Sequence, residues 1–237
     1  MNPIDRITAL AQSSYLARNS QKNDVTGADL DQFVDNTIEW VNQLIPEIEK
    51  KTDWNFVRTN NDLVGSVYDT TAISYELPEG IRKLVVSPYR DLTIVQDGTV
   101  VSSFKLVDPN QLSDPTDYDT RDRATSIKRQ VIFSRTMNDT EVNGEIIADT
   151  IGFIPKLSLD DMRLMDIFDE YPDIRQLFVL GVVKNQILPD IVKGGLYPSY
   201  AQKFDTYLQD CIAENDASAD ASDAARESFG WVSGVGF

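Results

Sequence analysis

Aspartate is the commonest ionisable side chain in this sequence, and it falls in clusters. Asp114, Asp117, Asp119 and Asp122 crowd one polar stretch, where carboxylate oxygens could gather around a calcium ion. An EF-hand loop needs glycine at its sixth position and a bidentate glutamate at its twelfth, and neither is in place. A solvated loop accounts for that spacing better than a cation site does. Asp160 and Asp161, followed by Asp166, Asp169 and Glu170, could set two carboxylates across a glycosidic bond. The same positions fall in the first turn or on the polar face of a predicted helix, where acidic residues are common and favourable. The helical role is preferred.

What is missing narrows the chemistry further. The chain contains no histidine, which removes Ser-His-Asp and Cys-His nucleophile activation and nearly all zinc sites. The single cysteine, Cys211, rules out an internal disulfide framework and sits in an apolar helical repeat as a small hydrophobe. No phosphate-cradling glycine loop occurs. Asn138-Asp139-Thr140 is a glycosylation triplet in form, but the N-terminus lacks a basic region followed by an apolar run, so no secretory signal is expected. The expectation is therefore no catalytic residue, no metal and no cofactor.

The elements that position these residues follow from composition and period. Of 237 residues, 41% are hydrophobic and 25% charged, as in a globular chain with a real core. No stretch of about 18 apolar residues predicts a membrane span. Net charge is −16, from 22 basic against 38 acidic residues, which argues against gripping nucleic acid through its phosphates.

Ile4, Ile7, Leu10 and Ala11 predict a short helix over 4–18. Thr26 can cap a longer one, with Leu30, Phe33, Val34, Thr37, Ile38, Val41, Leu44, Ile45 and Ile48 on its apolar face, and Pro46 should bend it or end it early. After Asp53 the period changes, and strands are predicted at 63–67, 72–77, 83–86, 92–94 and 100–107. Gln96-Asp97-Gly98 makes 92–107 a hairpin. Residues 108–126 read as an exposed loop, and 127–135 and 144–153 as two further strands. Helical spacing returns over 159–169, which Ser158 can cap, then from Pro172 to Gly194-Gly195, and again over 197–214.

This order predicts an α+β fold. Its core would be helical, built from the N- and C-terminal helices, with an inserted antiparallel β region and an extended C-terminal arm. The corresponding segments are 1–56 and 157–214 for the helical core, 57–156 for the β-rich insertion and 215–237 for the arm. The arm starts as low-complexity Ala, Asp and Ser and ends in Phe229, Trp231, Val232, Val235 and Phe237. Those five are the candidate partner-binding residues. Burial of each aromatic in a partner's groove is worth about 1.5–3 kcal/mol before ordering costs.

One ordered set of residues adds a resemblance. A long amphipathic helix runs into Trp54-Asn55-Phe56, and Tyr75-Glu76-Leu77-Pro78 is followed by Ile81-Arg82-Lys83-Leu84. This order, over residues 26–95, resembles the head-to-tail adaptors of tailed bacteriophages, including the head-completion and tail-tubular families. The resemblance implies a structural virion protein, made in the host cytoplasm and placed at the head–tail junction. It implies a dodecameric ring that connects the portal protein to the next tail or neck component. DNA would pass through without specific binding. The alternative from the same reading is another neck, tail-completion or capsid-associated subunit. A carboxylate-dependent hydrolase is a third class, and it would need a deep pocket holding two facing carboxylates with separated pKa values.

Overall fold

A computed structural model describes residues 6, 9, 10, 28–86, 91–112, 122–187 and 197–230, and leaves aside the side chains of 28–33, 185–187, 197–200 and 219–230. The chain divides into two compact units. One comprises Met1–Phe56 with Ile154–Ala217, and the other Val57–Phe153 with Ser218–Phe237.

The first unit is helical. Helix α1 spans Ala28–Glu49, α2 spans Arg163–Glu170, α3 spans Pro172–Ile187, and α4, which runs over Tyr197–Gly230, belongs to this unit as far as Ala217. Val34, Thr37, Val41, Leu44, Ile45 and Ile48 of α1 are buried, at the spacing of one helix face. The helix continues past Pro46 to Glu49. Proline opens α3, where its missing N–H costs nothing. Gly181 of α3 lets two neighbours come close, since a Cβ there would lie 2.5 Å from Leu44 Cδ1 and 3.1 Å from Phe204 Cε2. Phe168 and Phe178 join α2 to α3, their ring centroids 5.0 Å apart.

Polar side chains of α1 hold the segment that follows the last strand. Asn42 Nδ2 donates to the Leu157 carbonyl at 2.9 Å, and its Oδ1 accepts from the Leu157 amide at 2.8 Å. Glu49 accepts from the Ile154 amide at 2.7 Å. Each contact satisfies a backbone group that has left the sheet ladder.

The second unit is an eight-stranded mixed sheet. Its strands are β1 (Arg58–Ser66), β2 (Ser74–Glu76), β3 (Ile81–Leu84), β4 (Leu92–Gln96), β5 (Thr99–Leu106), β6 (Arg123–Ile127), β7 (Gln130–Phe133) and β8 (Glu145–Gly152). Their order is β1-β8-β4-β5-β6-β7-β2, and β3 also pairs with β8. Core residues on one face include Ile94, Phe104, Ala124, Val131, Phe133 and Ile146. Asp97 and Gly98 adopt φ of 50° and 77° in the β4–β5 turn, the paired left-handed geometry of a two-residue hairpin. Lys128 and Arg129 do the same between β6 and β7, at 47° and 63°. The sheet ends in β1, whose pairing with β8 is twice irregular, and in β2, only three residues long.

The fold expected from sequence needs correction. It is not a helical core with an inserted antiparallel β region. Eight strands share a buried core of their own, and β5 and β6 run parallel, with Lys105 opposite Arg123 and Leu106 opposite Ala124. That core makes the sheet a packed body in itself rather than an appendage. The extended C-terminal arm is also wrong, because residues 215–230 continue α4 without a break. Six alanines between Ala213 and Ala225 favour helix strongly, and the packed part of α4 supplies the nucleus.

Smaller differences have local causes. The stretch 108–126 is not all loop, since Pro109–Gln111 forms a 3-10 turn and β6 starts at Arg123. The strand expected at 127–135 is the turn Lys128-Arg129 and β7 of a hairpin whose first strand, β6, begins in the stretch expected as loop. Ser158 Oγ accepts from the Asp161 amide at 3.0 Å, and α2 begins only at Arg163. Thr26 and Gly194-Gly195 lie outside the described residues, as does most of the helix expected over 4–18.

Candidate functional site

The candidate site is built on α4. Its buried stripe is Phe204, Leu208 and Cys211, packed on the helical unit. Lys184 of α3 lies 4.4 Å from the Phe204 ring centroid, and 3.7 Å from both Glu47 and Asp205. Tyr207 donates its hydroxyl to Asp173 at 3.0 Å, and burial together with that carboxylate raises its pKa. Burial also pushes the Cys211 thiol up to about 11, helped by the carboxylates of Asp173, Glu214 and Asp210. The thiol is therefore protonated at neutral pH and serves packing.

The stripe ends at Asn215. Its Oδ1 accepts from the Asn55 amide at 2.8 Å, and its Nδ2 donates to the Asp53 carbonyl at 3.0 Å. Asn55 Nδ2 in turn donates to the Asn215 carbonyl at 2.8 Å. Beyond it, Asp216, Ala217 and Ser218 are exposed.

Of the candidate partner-binding residues, Phe229 has its backbone in the last turn of α4. Trp231, Val232, Val235 and Phe237 lie outside the described residues.

The residues behind the adaptor resemblance are core and turn residues here. Trp54 is 1% exposed, donates Nε1–H to the Ile48 carbonyl at 2.9 Å, and packs on Phe56 with centroids 5.5 Å apart. Tyr75, Leu77, Ile81 and Leu84 are all buried. The Leu77 amide donates to the Arg129 carbonyl at 2.8 Å. Arg129 Nη2 returns to the carbonyls of Leu77 and Pro78 at 3.1 and 3.0 Å. The Tyr75–Pro78 segment is thus tied down by the β6–β7 turn.

Three of the acidic residues around α2, Asp161, Asp166 and Asp169, are taken up in ion pairs. Asp161 pairs with Arg163 at 2.7 Å. Asp166 and Asp169 share Arg6 at 2.9 and 2.7 Å, beside a cleft of about 430 Å³ that Ala9, Met165 and Arg175 also line. The two carboxylates sit one turn apart on α2 and face a single guanidinium. They do not oppose each other across the cleft as a hydrolytic pair would. Among the described residues, no group of three or more His, Cys, Asp or Glu could hold a metal ion. Asp114, Asp117 and Asp119 are outside them.

One polar cluster was not legible in the sequence. Glu141 is fully buried in the β unit. Arg135 reaches it through Nη1 at 2.9 Å and Nη2 at 2.6 Å, and the Asn138 amide donates to it at 2.7 Å. The Ser102 hydroxyl also donates to Glu141, and Arg135 Nε donates to Asp122. Burial raises the pKa of Glu141, but the hydrogen bonds from Arg135, Ser102 and Asn138 outweigh it and hold the carboxyl down to about 2. Such a group is a fixed anion, not a proton carrier at neutral pH. The Arg135 guanidinium lies 4.8 Å from the Phe104 ring centroid. Nothing in the local spacing advertises this, since Ser102 is 39 residues from Glu141.

Among the described residues, no helix is long and apolar enough to cross a membrane. Set against known protein families and characterised proteins, the chain matches none of them.

Proposed function

We propose that the chain is a structural subunit at the head–tail junction of a tailed bacteriophage. In this reading it forms a ring between the portal and the next tail component and continues the DNA channel. The observation that carries the reading is the build of α4. Its first half is packed on the helical unit, and its second half runs on through acidic, alanine-rich sequence to Phe229. Trp231, Val232, Val235 and Phe237 follow at the chain's end. A helix fixed at one end and aromatic at the other suits attachment to another polypeptide, and copies in a ring would multiply weak attachments by avidity. The net charge of −16 fits a conduit that does not hold DNA. The ordered residues Trp54 to Leu84 support the adaptor family in particular.

The test uses the full chain and a version lacking 227–237, each mixed with a candidate portal ring. Electron microscopy should show the full chain capping the narrow end of the portal. The shortened chain should keep its circular dichroism spectrum and melting temperature but leave the portal bare. Normal capping by the shortened chain would reject the role given to these residues.

A further inference from the structure

We infer that the cleft between Arg6 and Arg175 binds a small zwitterion, an α-amino acid with an apolar side chain. This site is separate from the attachment role proposed for Phe229 and the residues after it.

The cleft holds about 430 Å³, within the range of about 300–1,000 Å³ usual for small-molecule sites. Arg6, Ala9, Met165, Asp166, Asp169 and Arg175 line it, and all six belong to the helical unit. The two helices that carry four of them are fixed against each other. Phe168, next to Asp169, packs on Phe178, one turn beyond Arg175, and both rings are buried. The backbone that carries the charged groups is therefore in place before anything binds, which lowers the ordering cost of a ligand.

The unpaired group in this cleft is Arg175. It is half-buried in the first turn of α3, where its main-chain amide donates to the Tyr171 carbonyl at 3.1 Å. Among the described residues its guanidinium has no hydrogen-bond or ion-pair partner. A guanidinium has five donors, no acceptor and a permanent charge, and its flat fork fits a carboxylate. The aspartates of the same cleft are engaged elsewhere, because Arg6 donates Nη1 to Asp166 Oδ1 at 2.9 Å and Nη2 to Asp169 Oδ2 at 2.7 Å. Each gives Arg6 one oxygen and keeps a second on an exposed side chain.

Charge decides the class of ligand. Two guanidiniums and two carboxylates leave the lining neutral. A simple anion such as phosphate, drawn to Arg175, would also meet Asp166 and Asp169. A metal cation drawn to the aspartates would also meet Arg6 and Arg175. A zwitterion meets both demands and keeps the balance, with its carboxylate on Arg175 and its ammonium on the second oxygens of Asp166 and Asp169. Ala9 and the buried Met165 add apolar surface for a side chain, and the unbranched methionine adapts to several shapes.

The probes are leucine, methionine and phenylalanine, each set beside its N-acetyl and its amide form and titrated into the full chain by NMR. At least one free amino acid should bind. Its N-acetyl form lacks the ammonium and its amide lacks the carboxylate, so each should bind about tenfold more weakly or worse, the loss of a hydrogen bond to a charged group. Arg175→Gln should weaken binding by the same factor without lowering the melting temperature, since the guanidinium it removes holds nothing in the fold. Absence of binding by all three amino acids at about 10 mM overturns the inference. So does a capped form that binds as well as the free amino acid, or undiminished binding by Arg175→Gln. The capped forms test the claim on the unsubstituted chain, and none of these readouts depends on portal capping.

Discussion

Glu141 in the β unit and the Asp166–Asp169 pair in the helical unit both meet an arginine, and burial sets them apart. The Glu141 side chain is 0% exposed, and Arg135, Ser102 and the Asn138 amide all donate to it. Asp166 and Asp169 are 69% and 60% exposed, and Arg6 spans them from the N-terminal segment. A buried carboxylate must have its partners, since removing one leaves an uncompensated charge. An exposed pair trades water for a partner at nearly equal free energy and is screened by salt. The same ionic chemistry is therefore a structural requirement in one place and a light surface tie in the other.

The strongest way to break this comparison is to remove the buried carboxylate. Glu141→Ala takes from Arg135 the acceptor of its Nη2 and leaves it Asp122 and the Thr136 carbonyl, and it removes the Glu141 acceptor of the Asn138 amide and the Ser102 hydroxyl. We expect a loss of about 3 kcal/mol in urea unfolding, read from the β unit. A loss below about 1 kcal/mol would mean that burial does not set the strength of this cluster.

Acid sharpens the same point with a smaller effect. The folded Glu141 carboxyl titrates at about 2, below its ordinary 4.5. A group with a depressed folded pKa contributes stability above its unfolded pKa and loses it as pH falls through the folded one. Its contribution should thus be complete above pH 4.5 and fade towards pH 2. Glu141→Gln should flatten that part of the stability profile, measured by denaturation at stepped pH. An unaltered slope would contradict the assignment.

The smallest effect belongs to the exposed fork. Arg6→Ala should cost about 0.5 kcal/mol. The cost should vanish near 1 M salt, where the screening length is about 3 Å. A loss as large as that of Glu141→Ala would erase the distinction between the two regions.

What the sequence disclosed follows how local each signal is. The α1 stripe repeats every three or four residues, so Val34, Val41, Leu44 and Ile48 were readable as one buried face. Asp97-Gly98 carries its hairpin in two residues. The Lys128-Arg129 turn has the same backbone geometry on residues that give no turn signal, so the first strand of its hairpin reads as loop and the turn and second strand as one strand over 127–135. The β5–β6 pairing joins Leu106 to Ala124 across a stretch that looks like loop. At the candidate site, the aromatic ending was visible as composition. The helix that carries it rests on alanine propensity, a signal that the lack of apolar anchors conceals. Asn42 and Asn215 were illegible for a further reason, since each recognises backbone 115 or 160 residues away and backbone has no sequence.

The two ends of the sheet carry a consequence for crowding. β1 is broken in register at Thr59–Asp62 and again at Leu63–Gly65, with Asn61 at a φ of 54°. β2 offers three residues and is followed closely by Pro78. Neither margin is a long, flat template on which a second molecule could extend the ladder. Copies brought to high local concentration would therefore find little at β1 or β2 to extend into a cross-β ladder.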